Sequence, residues 1–98
     1  MVTTNNSGNV CCSLSDEDMT ETKRFHLRLL KLINTFTGRS ITYDLSCLHR
    51  ITFIQIAILI HLYKKARKKH IALLLKNPST PILEVLKLAK IHTLLTIQ

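Results

Sequence analysis

The stretch ITFIQIAILIHLYKKARKKHIALLL, residues 51–75, sets thirteen uncharged residues directly before the basic run KKARKK at 64–69 and then returns to apolar residues. Its reading decides the fold. Gly and Pro are scarce at two each, and there is no Trp. Leu and Ile dominate, a composition that favours helices over a turn-rich β-sandwich. On a helical projection of about 100° per residue, Lys64, Lys65, Arg67, Lys68 and Lys69 fall on one arc of about 200°. Leu59, Leu62, Tyr63, Ala66 and Leu73 fill the remaining gap, so an apolar stripe runs unbroken through the charged stretch. The β-branched block ITFIQIAILI leaves a strand as the alternative at that position.

Working outward, the stretch belongs to a predicted helix over 44–76, with a break near the basic run as a variant. Asp44 or Ser40 caps its start, and Asn77-Pro78 ends it, because the residue before proline is pushed out of the α region. Upstream, Ser15 and Asp18 have the spacing of a capping box, and Met19, Thr22, His26, Leu29, Ile33 and Phe36 repeat at three- and four-residue steps. A helix over 15–37 follows, with Gly38 as its stop. Downstream, Ser79 or Thr80 with Pro81 starts a third amphipathic helix over 80–97. Residues 1–14 are polar, uncharged and without periodicity, and are expected to be a disordered tail. The expected fold is all-α: a three-helix arrangement in a single small domain over 15–98.

The formal net charge is +8. Lys23, Arg24, Arg28, Lys31 and Arg39 are balanced in the first half by Asp16, Glu17, Asp18, Glu21 and Asp44. The second half sets nine basic residues against Glu84 alone, which points to an anionic counterpart, either nucleic acid or a lipid surface. Three cysteines, Cys11, Cys12 and Cys47, give no disulfide framework, and the start of the chain has no secretory-signal pattern. Cytoplasm or nucleus is the expected compartment, with membrane association as a variant. Cys11 and Cys12 are candidate acceptors of palmitate.

No catalytic signature is present: there is no GxSxG, no phosphate-cradling glycine loop, and no Cys and His set at zinc-finger spacing. No enzyme activity, metal or cofactor is expected. Leu45-Ser46-Cys47-Leu48-His49 resembles the LxCxE docking motif of viral proteins that bind retinoblastoma-type pockets, with His49 where that motif has Glu, so its acidic contact is missing. Ile54-Gln55 begins like the calmodulin-binding IQ motif, with Leu59 where that motif has arginine.

The sequence therefore reads as a small basic accessory or regulatory protein. Its binding face is an apolar stripe (Leu59, Leu62, Tyr63, Ala66, Leu73) rimmed by Lys64, Lys65, Arg67, Lys68 and Lys69, and its counterpart is a protein partner, a second copy or an anionic membrane surface. One alternative is a nuclear protein that binds nucleic acid non-specifically through KKARKK. Another is a single-span membrane protein. The residues from Ile51 to Tyr63 make only about 20 Å of helix against a hydrocarbon core of about 30 Å, so a span would need 45–63 with Arg50 inside it.

Overall fold

The computed structural model describes residues 2–4 (backbone), 8–16 and 21–97. The elements run β1 (Val2–Thr4), β2 (Asn9–Ser13), α1 (Thr22–Thr35), β3 (Ser40–Asp44), α2 (Phe53–Lys68), β4 (Ala72–Lys76), α3 (Thr80–Leu88), a 3-10 turn (Ile91–Thr93) and β5 (Thr96–Ile97). This is an α/β fold, and the all-α expectation is overturned. The strands form one sheet in the order β1-β2-β3-β4-β5, with β1 antiparallel to β2 and the four strands β2 to β5 parallel.

Each parallel strand is followed by a helical crossover to its immediate neighbour, always in the same direction. Crossovers of uniform hand place all the helices on one face. The burial pattern agrees: Val10 and Cys12, Ile41 and Tyr43, and Leu73 and Leu75 are buried, whereas the alternate residues of the same strands are half-buried or exposed. The covered face joins Phe25, Leu29 and Ile33 of α1, Ile56, Leu59, Leu62 and Ala66 of α2, and Ile82 and Leu86 of α3 in a single core.

Several expectations change element by element. The tail over 1–14 instead supplies β1 and β2, with positions 5–7 outside the described residues. Its apolar alternation is short, Val10, Cys12 and Leu14, and the strand is stabilised by pairing with β3 far along the chain, which no local pattern reports. The connection over 38–43 contains most of β3. The predicted helix over 44–76 is a loop, a helix of 16 residues and then a strand. Strand β4 presents Ala72-Leu73-Leu74-Leu75, a short apolar run without polar alternation that cannot be told from helix by period, although only Leu73 and Leu75 face the core. Asp16, next to the expected cap Ser15, is helical; Asp18 of the expected capping box lies outside the described residues, and helix α1 itself begins at Thr22. The helix expected over 80–97 stops at Leu88 and gives way to the 3-10 turn and β5.

The boundary between α2 and β4 is built from the basic run itself. Lys65, Arg67 and Lys68 occupy the last turn, where cations suit the negative end of the helix dipole. His70 then takes a left-handed conformation, φ 58°. Its N–H donates to the Arg67 carbonyl at 3.1 Å and the Ile71 N–H to the Ala66 carbonyl at 2.9 Å, the paired bonds of a Schellman stop. Glycine normally fills this place. The two glycines of the chain are instead used together at the start of the neighbouring strands β2 and β3, at the same end of the sheet, where Gly8 at φ +77° accepts from the Arg39 N–H and a Cβ on Gly38 would strike the Gly8 carbonyl. A non-glycine residue in the left-handed region costs about 1–2 kcal/mol. His70→Gly is therefore expected to raise unfolding stability by about 1 kcal/mol in urea titration, whereas a helix continuous through residue 70 would lose a similar amount.

Candidate functional site

In an open parallel sheet the loops at the carboxyl ends of the strands are the usual place for a site. Here these are the segments after β2 (Leu14–Asp16), β3 (Leu45–Thr52) and β4 (Asn77–Ser79). The ladder extends into them: the Leu14 N–H donates to the Asp44 carbonyl at 3.0 Å, and the Leu45 N–H to the Lys76 carbonyl at 2.8 Å. Leu45 and Leu48 are fully buried and pin the longest loop to the core. Asp16 clasps the same loop from outside. Its carboxylate accepts from the His49 backbone N–H at 3.0 Å and meets the His49 Nδ1 at 2.8 Å. These bonds hold the Asp16 carboxyl below its ordinary value of 3.8. Asp44 is likewise lowered, chiefly by the Ser46 N–H, which donates to its Oδ1 at 2.9 Å.

The clasped loop delivers the chain to a firmly capped helix. Thr52 and Gln55 form a capping box: the Gln55 N–H donates to Thr52 Oγ1 at 3.2 Å, and the Thr52 N–H to Gln55 Oε1 at 2.7 Å. Burying Ile56 and Leu59 against the sheet turns the first two helical residues outward, leaving Phe53 82 % and Ile54 65 % exposed, with Ala57 exposed beside them. Two large apolar side chains thus stand on a rigid helix start at the carboxyl edge of the sheet. Cys47 is exposed in the same loop. Among the described residues no group of His, Cys, Asp and Glu is arranged to hold a metal ion.

The residues singled out in the sequence are dispersed. Leu59, Leu62, Ala66 and Leu73 lie in the core, so most of the apolar stripe packs within the chain. Lys69 reaches across to α1, where its ammonium donates to the carbonyls of Ile33 at 2.7 Å, Asn34 at 2.9 Å and Phe36 at 3.3 Å. It satisfies the orphan acceptors of a helix that has no basic residue in its own last turn. Lys64, Arg67 and Lys68 are exposed, and Tyr63 and Lys65 half-buried. Cys11 and Cys12 sit in β2, Cys11 half-buried and Cys12 buried, and burial pushes the Cys12 thiol up to about 11.

Phe53 and Ile54 were missed as site residues because a helical period assigns them to an apolar helix without saying which face the sheet will cover. Between α1 and α2 the rings of His26 and His61 meet edge to face at 5.0 Å, and His26 Nε2 is buried without a partner. Burial, His26 and the lysines at 65, 64 and 68 lower the His61 imidazole. No helix among the described residues is long and apolar enough to cross a membrane, since 45–63 divides between the loop and an inward-packed helix.

No family model matches the chain, and no curated protein matches it. Solved structures do. The structure of the anti-sigma factor antagonist SpoIIAA in its unphosphorylated form matches with a TM-score of 0.82 at 10 % identity, covering 100 % of this chain and 86 % of that one. The fold is shared with SpoIIAA. The phosphorylated form of SpoIIAA, described as a Bacillus cell fate determinant, matches with a TM-score of 0.69 at 10 % identity over 100 % of this chain and 89 % of that one.

The clasp carries a pH signature. Asp16 and Asp44 have folded-state values below their ordinary 3.8, so their contribution is complete above about pH 4 and is lost as pH falls through the lowered values. Melting temperature is expected to drop below about pH 4, and Asp16→Asn should flatten part of that drop while lowering stability at neutral pH. An unchanged pH profile in the variant would contradict the clasp.

Proposed function

We propose that this chain is a non-enzymatic regulatory module that acts by binding a protein partner, with Phe53 and Ile54 as the apolar anchors of the contact. The observation that carries this reading is their exposure side by side on a capped helix whose preceding loop is clasped by Asp16 and His49. Large side chains held rigidly and projecting from a surface are the kind that dominate binding energy when a partner's pocket desolvates them. The occupant is a folded protein with an apolar pocket that takes the Phe53 ring. Support comes from SpoIIAA, whose description as an anti-sigma factor antagonist is that of a regulator working on another protein. The basic residues at the far end of α2 add electrostatic attraction for an acidic surface, which affects association rate and salt dependence more than anchoring.

The test is a comparison of copurified proteins from wild type, Phe53→Ser, Ile54→Ser and the control Leu88→Ser, followed by titration of the purified partner. Leu88 is 83 % exposed, away from the carboxyl edge of the strands. The anchors predict a loss of about tenfold or more in affinity for each of the first two variants, none for the control, and melting temperatures near wild type in all. A partner bound equally well by Phe53→Ser, or a patch whose sole effect is to hold two copies of this chain together in sedimentation, contradicts the reading.

A further inference from the structure

A groove of about 570 Å³ opens where α2 ends and β4 begins, at the opposite end of α2 from Phe53. Tyr63, Arg67 and His70 form one wall, spaced four and three residues apart and so on one side of the helix end. Leu74 and Leu94 supply an apolar floor and facing wall, and Leu94 is 43 % exposed. Among the described residues, strand β5 pairs with Leu74 and Leu75, and Ala72 and Leu73 of β4 extend past it with no strand alongside on that flank. The neighbouring ridge of α2 carries Lys64 and Lys68, one turn apart and exposed.

The chain contains no carboxylate between Asp44 and Glu84. Among the described residues no carboxylate pairs with Lys64, Lys65, Arg67 or Lys68. The fifth cation of the run, Lys69, is already committed to the α1 carbonyls. An unneutralised cationic wall facing an apolar floor calls for an occupant that brings negative charge and an apolar side chain together. An acidic peptide segment does so. A nucleic-acid strand would bring phosphates but would find Tyr63 as its one aromatic stacking platform, and a membrane would need an outward apolar face rather than a recess.

We infer that this groove is a second binding site, which takes an acidic segment of a protein partner, with Arg67 meeting a carboxylate and the Leu74–Leu94 floor receiving one apolar residue. It acts independently of the Phe53 anchor and joins the two ends of α2 into a bivalent surface, so that each contact strengthens the other through effective concentration.

The experiment is fluorescence polarisation of the full chain with a short fluorescein-labelled peptide carrying Asp and Glu around one central Leu. Comparison probes are the same peptide with Asn and Gln in place of the acids, a single-stranded oligonucleotide of matched charge, and phosphatidylserine vesicles. The acidic peptide should bind about tenfold more tightly than its neutral counterpart, and Arg67→Gln and Leu94→Gln should each remove most of that difference. The Lys64→Gln/Lys68→Gln pair should reduce it less, because those side chains stand on the adjacent ridge. Phe53→Ser should leave it unchanged, which separates this site from the proposed anchor. Equal binding of acidic and neutral peptides, or full binding by Arg67→Gln at a wild-type melting temperature, overturns the inference. Tighter binding of the oligonucleotide or vesicles, lost on Arg67→Gln, also overturns it.

Discussion

The rest of the fold depends on how α2 ends. The Lys69 ammonium sits among the last carbonyls of α1, and the next residue, His70, turns left-handed to close the helix. Together they fix the C-terminus of one helix against that of the other and aim the chain back at the sheet, where the Ala72 N–H donates to the Arg39 carbonyl at 3.0 Å. From that bond onward the residues after His70 form β4, the strand between β3 and β5. Were α2 to continue, Leu73 and Leu75 would leave the covered face, β5 would have no neighbour, and the parallel sheet would not form.

The basic run therefore has two functions that a helical projection merges into one. Lys65, Arg67, Lys68 and Lys69 bring a helix to its end without glycine, by charge at the dipole terminus and by a bond to a second helix. Arg67, with Lys64 and Lys68 on the ridge beside it, also leaves an unneutralised wall at the surface. The same turn that stops α2 also creates the groove beside β4, so the proposed binding there would be coupled to stability.

Much of the local structure was legible. The helical character of the apolar block, the capping signal at Ser79 and Pro81, and the presence of a helix around Phe25, Leu29 and Ile33 all follow from period and end residues. The parallel strands were not. Strand β4 presents Ala72-Leu73-Leu74-Leu75, apolar at outward as well as inward positions and so without alternation, and β2 and β3 have two inward residues each, too few to register as a pattern. The stop at His70 carries no glycine to announce it. Once the sheet is in place the stripe from Leu59 to Leu73 becomes interior, and the exposed apolar pair moves to Phe53 and Ile54, which no periodicity could have separated from their buried neighbours.

Recasting the chain as a one-sided α/β sheet changes what its surface offers: an anchored apolar turn at the carboxyl edge of the strands and a cationic groove at the other end of α2. Both depend on α2 ending before β4 begins. The most direct measurement is backbone NMR of the intact chain, using carbon secondary shifts and amide-to-amide NOEs between β3 and β4. The account predicts helical shifts from Phe53 to Lys68, strand shifts from Ala72 to Lys76, and NOEs that place Leu73 beside Ile41. Unbroken helical shifts through Lys76, with no contact to β3, would contradict it.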